Sequence, residues 1–258
     1  MPELNNSAAR WVDFSISAAE YGKRVPYSAV VLASLVRTVA SIFGGVLLAE
    51  LGAGTGSLLR SFGDQKVTGY AVESSGAMRA VAHYLAPDES RFEWVSGNAE
   101  SCPLPDNAVN WVLLGNVYQL VDPSKMFREA HRILRENGFL TIIWNIRDFK
   151  RDQLQREIDD MVKREVPGLQ RTGMSMVDVM NDLDTERLFS EYCYVEARHE
   201  QNFTPERFLD AWKASHEIPS RLSKEQWNDV LSKTARMIPH KQLIRTIWIT
   251  RAWTFQAT

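Results

Sequence analysis

Apolar positions in the first half of the chain alternate between helical and strand-like spacing. Over 28–43 they recur as Val31, Leu32, Leu35, Val36 and Val39, and Gly44-Gly45 supplies a stop. A short apolar run over 45–51 ends in glycines, 58–61 opens a helix, and 67–72 predicts a second strand. The spacing then predicts a helix over 76–85 stopped near Pro87 and a strand over 92–95. Residues 109–114 form a strand that is apolar throughout, as sheet covered on both faces requires. A helix over 123–134 closes at Asn137-Gly138, and a fifth strand runs over 139–144. This alternation predicts a parallel sheet with right-handed crossovers.

After Asn145 the pattern changes. Residues 147–166 are strongly charged and helical in spacing. Thr204, Pro205 and Glu206 have the order of a helix start for 204–216, and a further helix is predicted over 223–237. Residues 192–198 and 243–255 alternate as strands do. The fold class is therefore α/β: a doubly wound, mostly parallel, Rossmann-like sheet with a helical lid after the fifth strand and an antiparallel closing strand pair. One domain is expected over 1–258, with a core of about 28–146 plus strands at about 190–201 and 243–256. Segment 1–27 and insertions at about 147–190 and 202–240 would form a substrate cap.

Composition narrows the classes. The 258 residues are 45% hydrophobic, enough to bury a good-sized core. The net charge of −2, with no run of Lys and Arg, speaks against a nucleic-acid partner, because phosphate-backbone binding is driven by basic residues. Two cysteines, Cys102 and Cys193, form no CxxC pair, and the five histidines do not cluster, so neither a disulfide framework nor a metal site is expected. The polar start lacks a signal-peptide core, and no apolar stretch approaches the ~20 residues of a membrane span. A cytoplasmic location is expected, as a monomer or homodimer.

The chemistry concentrates in Val46–Leu58, where an apolar strand runs into Gly52, Gly54 and Gly56 and a helix follows. Glycine is needed where φ is positive and where a ligand approaches the backbone, and the end of a parallel strand is the usual ligand crevice of such sheets. The pattern is GxGxG, with Ser57 where the dinucleotide fingerprint has its last glycine, and it lacks the Gly-Lys-Ser/Thr of a phosphate loop. Glu50, two residues before the first glycine, opposes a pyrophosphate and suits a ligand with a positive amino group. Glu73, 21 residues after Gly52, stands where a carboxylate accepts from ribose hydroxyls. A ribose joined to a cationic amino acid describes S-adenosylmethionine.

These residues resemble class I S-adenosylmethionine-dependent methyltransferases, in the branch of the ubiquinone/menaquinone-biosynthesis and trans-aconitate enzymes. Glu50–Gly56 resembles the first motif, Val72–Met78 the second, and Gly97–Asp106 the third; the likeness covers roughly 10–150. The family usually has Asp at Asn98, bonding the adenine amino group; the Asn98 carbonyl is expected to accept that bond instead. A His often stands where Gln119 stands, which removes any His-based chemistry at that position.

The resemblance implies methyl transfer to an O, N, C or S atom of a small-molecule acceptor in secondary or small-metabolite metabolism, with S-adenosylhomocysteine as product. The expected cofactor residues are Glu50, Gly52, Ala53, Gly54, Gly56, Glu73, Ser74, Met78, Asn98, Ala99 and Asn116. Tyr21, Arg24, Tyr27, Gln119, Trp144 and Arg147 are expected around the acceptor, with Arg24 or Arg147 able to pair with a carboxylate. His216 is a candidate base on the lid, although no catalytic residue is assigned, because an activated methyl donor needs chiefly alignment and exclusion of water. The alternatives are an inactive cofactor-binding partner subunit, an RNA or nucleotide methyltransferase (opposed by Gly115-Asn116-Val117-Tyr118, which lacks an Asn/Asp-Pro-Pro-aromatic motif), and a nucleotide-linked oxidoreductase.

Overall fold

A computed structural model describes residues 18–166, 169, 179–183, 187–214, 218 and 222–258. His216 and residues 1–17 of the N-terminal segment lie outside them. Seven strands form one sheet: β1 Val46–Leu51, β2 Val67–Val72, β3 Phe92–Val95, β4 Val109–Gly115, β5 Leu134–Arg147, β6 Phe189–Phe203 and β7 Ile244–Ala257. Their order is β3-β2-β1-β4-β5-β7-β6. The first five are parallel, and β7 runs antiparallel to both β5 and β6. The expected fold class is observed.

The helices follow their sequence signals. After a short turn of helix, α1 Ala18–Tyr21, helix α2 Ala29–Phe43 ends at Gly44 with φ 73°, the left-handed stop that glycine accepts without penalty. Helices α3 Ser57–Ser61, α4 Gly76–Leu85 and α5 Pro123–Ile133 complete the crossovers. Ser75 caps α4 through the Met78 amide, and Asp122 caps α5 through that of Lys125. Apolar stripes cover both sheet faces: Val31, Leu32, Leu35 and Val39 of α2 with Leu58 and Leu59 of α3 on one, and Met126, Phe127, Ala130 and Ile133 of α5 on the other. That burial on both faces is why β4 has no polar alternation.

Beyond β5, helices α6 Gln153–Glu165, α7 Pro205–Lys213 and α8 Lys224–Met237 share a third apolar cluster with Val25, Phe203, Ile244 and Trp248. Several boundaries depart from expectation. Helix α6 begins at Gln153 rather than 147, because Arg147 still pairs with Trp248 in the sheet and the Asp152 side chain caps Gln155. Helix α7 stops at Lys213 rather than 216. Strands β6 and β7 outrun their alternating segments because they pair from Phe189↔Ala257 to Phe203↔Ile244, and β5 outruns 139–144 because it pairs with β4 from Leu134 and with β7 as far as Arg147.

Candidate functional site

The carboxyl ends of β1, β2, β3 and β4 open on one cleft, at the point where strand order reverses between β1 and β4. It encloses about 720 Å³, open mouth included. Gly52 and Gly54 form its wall after β1, Glu73, Ser74, Ser75 and Met78 after β2, and Gly97, Asn98 and Ala99 after β3. Val117, Leu120 and Val121 close it below β4, and Tyr21 comes over from α1.

The glycine turn follows the sequence reading: Gly52, Gly54 and Gly56 have φ of 74°, 57° and 74°. A Cβ on Gly52 would stand 2.9 Å from both γ-carbons of Val117. The amides of the turn are committed inward. Those of Gly52 and Ala53 donate to Val72 O at 2.9 and 3.0 Å, that of Gly54 to Glu73 Oε2 at 2.8 Å, and that of Gly56 to Ala53 O at 2.9 Å. These four donors are closed to a phosphate, which removes the anion nest a dinucleotide site would use.

Glu73 is the hinge of the cleft. Its carboxylate accepts from Gly54 N and, at 2.7 Å, from Ser75 N, so it fixes the glycine turn to the start of α4. Oε2 keeps a second lone pair for a hydroxyl donor in the cleft, and that of Oε1 is engaged only by the Ser74 hydroxyl at 3.5 Å. Glu50 lies beneath the turn, 2% exposed, and its Oε2 is sealed with no hydrogen-bond partner. Burial raises its pKa well above the ordinary value, the nearby Glu73 charge raises it further, and Arg60 opposes both. A sealed, unpaired carboxylate oxygen under three glycines fits a ligand that brings a cationic group, directly or through water.

The predicted cofactor residues divide. Gly52, Gly54, Glu73, Ser74, Met78, Asn98 and Ala99 line the cleft, whereas Glu50, Ala53 and Gly56 are buried behind it and Asn116, half-buried after β4, is not among its lining residues. Asn116 takes a left-handed conformation, φ 55°, and its amide donates to the Tyr27 hydroxyl at 2.6 Å. Burial, the largest influence, keeps the Tyr27 phenol protonated well above its ordinary range. One expectation fails in detail: the Asn98 carbonyl already accepts from Glu100 N at 2.9 Å and Ser101 N at 2.8 Å, so both lone pairs belong to its own turn.

The predicted acceptor residues do not form one surface. Tyr21 covers the cleft, and Arg24 donates to its hydroxyl and stacks over its ring at 4.7 Å. Gln119 is exposed and donates to Asn116 O at 3.0 Å. Trp144 is 7% exposed and packs edge-on against Tyr118 and Trp253, a core position. The Arg147 guanidinium lies over the rings of Trp212 and Trp248 at 4.3 and 5.0 Å, inside the helical cluster.

Sequence reasoning did not name Ser75, Gly97, Val117, Leu120 and Val121 among the cleft residues; the apolar residues that follow Asn116 were the available signal. It also did not name the ties that place Tyr21 and Tyr27. Asn145 donates to Val25 O and Pro26 O, its carbonyl meets His199 and Thr250, and Thr250 Oγ1 accepts from Ser28 N. Burial lowers the His199 pKa, as suits a neutral ring in this network.

Residues 49–142 match the family described as methyltransferase domain. An uncharacterized methyltransferase of Mycobacterium bovis is 34% identical over 116 residues, 45% of this chain and 46% of its own. One of Schizosaccharomyces pombe is 34% identical over 100 residues, 38% of this chain and 39% of its own. The matched part thus spans about half the length of these curated relatives or less. A solved structure described as a candidate type II methyltransferase from Anaeromyxobacter dehalogenans covers 90% of this chain and 97% of its own with a TM-score of 0.65 at 15% identity, which shows the fold. The strand order and the matched segment agree: residues 49–142 match a methyltransferase domain and lie in a sheet that shares the fold of that solved structure.

Proposed function

We propose that this chain transfers a methyl group from S-adenosylmethionine to a small-molecule acceptor. The observation that carries this is the cleft itself. Its glycine-turn amides face away from any phosphate, Glu73 offers acceptors to a diol, and Glu50 lies unpaired beneath the turn. Gly52 and Gly54 let the backbone approach the ligand, and Met78 and Ala99 supply apolar wall for a flat base. When bound there, S-adenosylmethionine supplies a methyl group already activated on a sulfonium. The protein aligns the acceptor and excludes water. Tyr21, with Arg24 stacked on it, covers the cleft mouth for that purpose, and the helical cluster of α6, α7 and α8 forms the remainder of a cap over one domain. Arg24, beside Tyr21 at the cleft mouth, is the candidate partner for an acidic acceptor. No helix among the described residues is long and apolar enough to cross a membrane. A cytoplasmic monomer or homodimer is part of this proposal.

Calorimetric titration with S-adenosylhomocysteine, followed by transfer of labelled methyl to a panel of small acceptors, tests it. Micromolar binding with turnover on one acceptor class is expected. Absence of binding would leave a fold without its cofactor, a partner subunit, and transfer to bulk RNA alone would replace the small-molecule acceptor.

A further inference from the structure

Asn98 lines the cleft beside Ala99, on the wall assigned above to the base of the proposed cofactor, and its two polar ends are not equivalent. Its Oδ1 receives two backbone N–H groups, from Glu100 at 2.9 Å and from Ser101 at 2.8 Å. Two donors converging on one atom require that atom to be the oxygen, since an amide nitrogen there would face them with its own hydrogens. The bonds hold a tight turn that also pairs Asn98 with Ser101 across a bridge. Behind it, Gly97 packs so closely that an added Cβ would lie 2.9 Å from the Pro103 Cδ and 3.1 Å from a Val72 methyl, so the turn has little room to reverse the side chain. The amide NH2 is thus the end of the Asn98 side chain left with no protein partner among the described residues, and it is not sealed from solvent.

We infer that residue 98 presents a hydrogen-bond donor to the purine edge, so the site does not recognise the 6-amino group of its nucleoside. The inference rests on the cofactor proposed above and adds to it. An exocyclic amino group is itself a donor and gains nothing from a facing NH2, whereas a ring nitrogen acceptor beside it does. A carboxylate at 98 would keep one oxygen for the turn and aim the other at the amino group, converting indifference into selection. Asn98→Asp is the matching variant, isosteric and able to retain both bonds of the turn.

The experiment measures binding of S-adenosylhomocysteine and of its 6-deamino analogue, which keeps the ring nitrogen, to wild type and to Asn98→Asp. Wild type is expected to bind the two within about threefold. Asn98→Asp is expected to prefer the amino form by about tenfold or more, the scale of a hydrogen bond to a charged group. Wild type preferring the amino form tenfold, or a ratio unchanged in the variant, overturns the inference while leaving the cofactor in place. Failure of wild type to bind either compound overturns the cofactor itself. A melting curve of the variant confirms that the turn survives.

Discussion

Glu73→Ala deletes the acceptor for two short backbone bonds at once, Gly54 N at 2.8 Å and Ser75 N at 2.7 Å. Bonds to an ionised carboxylate contribute about 1.5–3 kcal/mol each. The Ser74 hydroxyl at 3.5 Å is at the geometric limit and adds little. The two freed amides border the cleft, where water re-solvates them, so the expected loss is nearer one bond than two: about 2–3 kcal/mol. For a chain of this size that lowers Tm by roughly 5–10 °C. Glu73 also lines the cleft, and in the proposed function it accepts from ribose hydroxyls; loss of such an acceptor costs about 1–3 kcal/mol, roughly 5- to 150-fold in Kd. Glu73→Gln keeps one acceptor but turns an NH2 toward one of the two amides, so it should restore only part of either quantity. Differential scanning calorimetry measures the first effect and titration with S-adenosylhomocysteine the second. A Glu73→Ala protein that melts with wild type, or binds S-adenosylhomocysteine within twofold of it, would refute the role given to this side chain.

Glu50→Gln should separate stability from binding. Burial raises the folded pKa of Glu50, so between its ordinary value of 4.5 and that raised value the folded state binds more protons than the unfolded state. Wild-type stability therefore falls as pH rises through this window, whereas a neutral glutamine is indifferent to it. The variant should melt higher than wild type at pH 7–8, the gap closing toward pH 4, while its affinity for S-adenosylhomocysteine drops about tenfold or more for want of the charge. A gap independent of pH, measured in parallel melts, would rule this out. Gly52→Ala forces a side chain into φ 74° and against Val117, 2.9 Å away. The left-handed conformation alone costs about 1–2 kcal/mol, and Val117→Ala in the same chain should recover the steric part; melts of the single and double variants that fail to differ would show that Val117 is not the obstacle.

Much of this protein was legible in its sequence because the signals are local. Helical spacing in 28–43 and its glycine stop, the unbroken apolar β4 and the three alternate glycines each follow from backbone geometry and burial within one segment. Glu50 and Glu73 were legible as well, since motif spacing places them at strand ends on either side of the turn. Tertiary structure decided what depends on neighbours distant in sequence. Gly69, inside β2, cannot carry a side chain because a Cβ would lie 1.9 Å from the Leu48 carbonyl oxygen of β1. The length of β6 and β7 came from their mutual pairing, which alternation in either strand alone understates. Trp144 and Arg147 are not among the residues lining the cleft, because Trp253 and the Trp212–Trp248 pair hold them elsewhere. At Asn98 the sequence specified an amide. Only the turn, by taking its oxygen for two backbone N–H groups, determined which end of that amide the cleft receives.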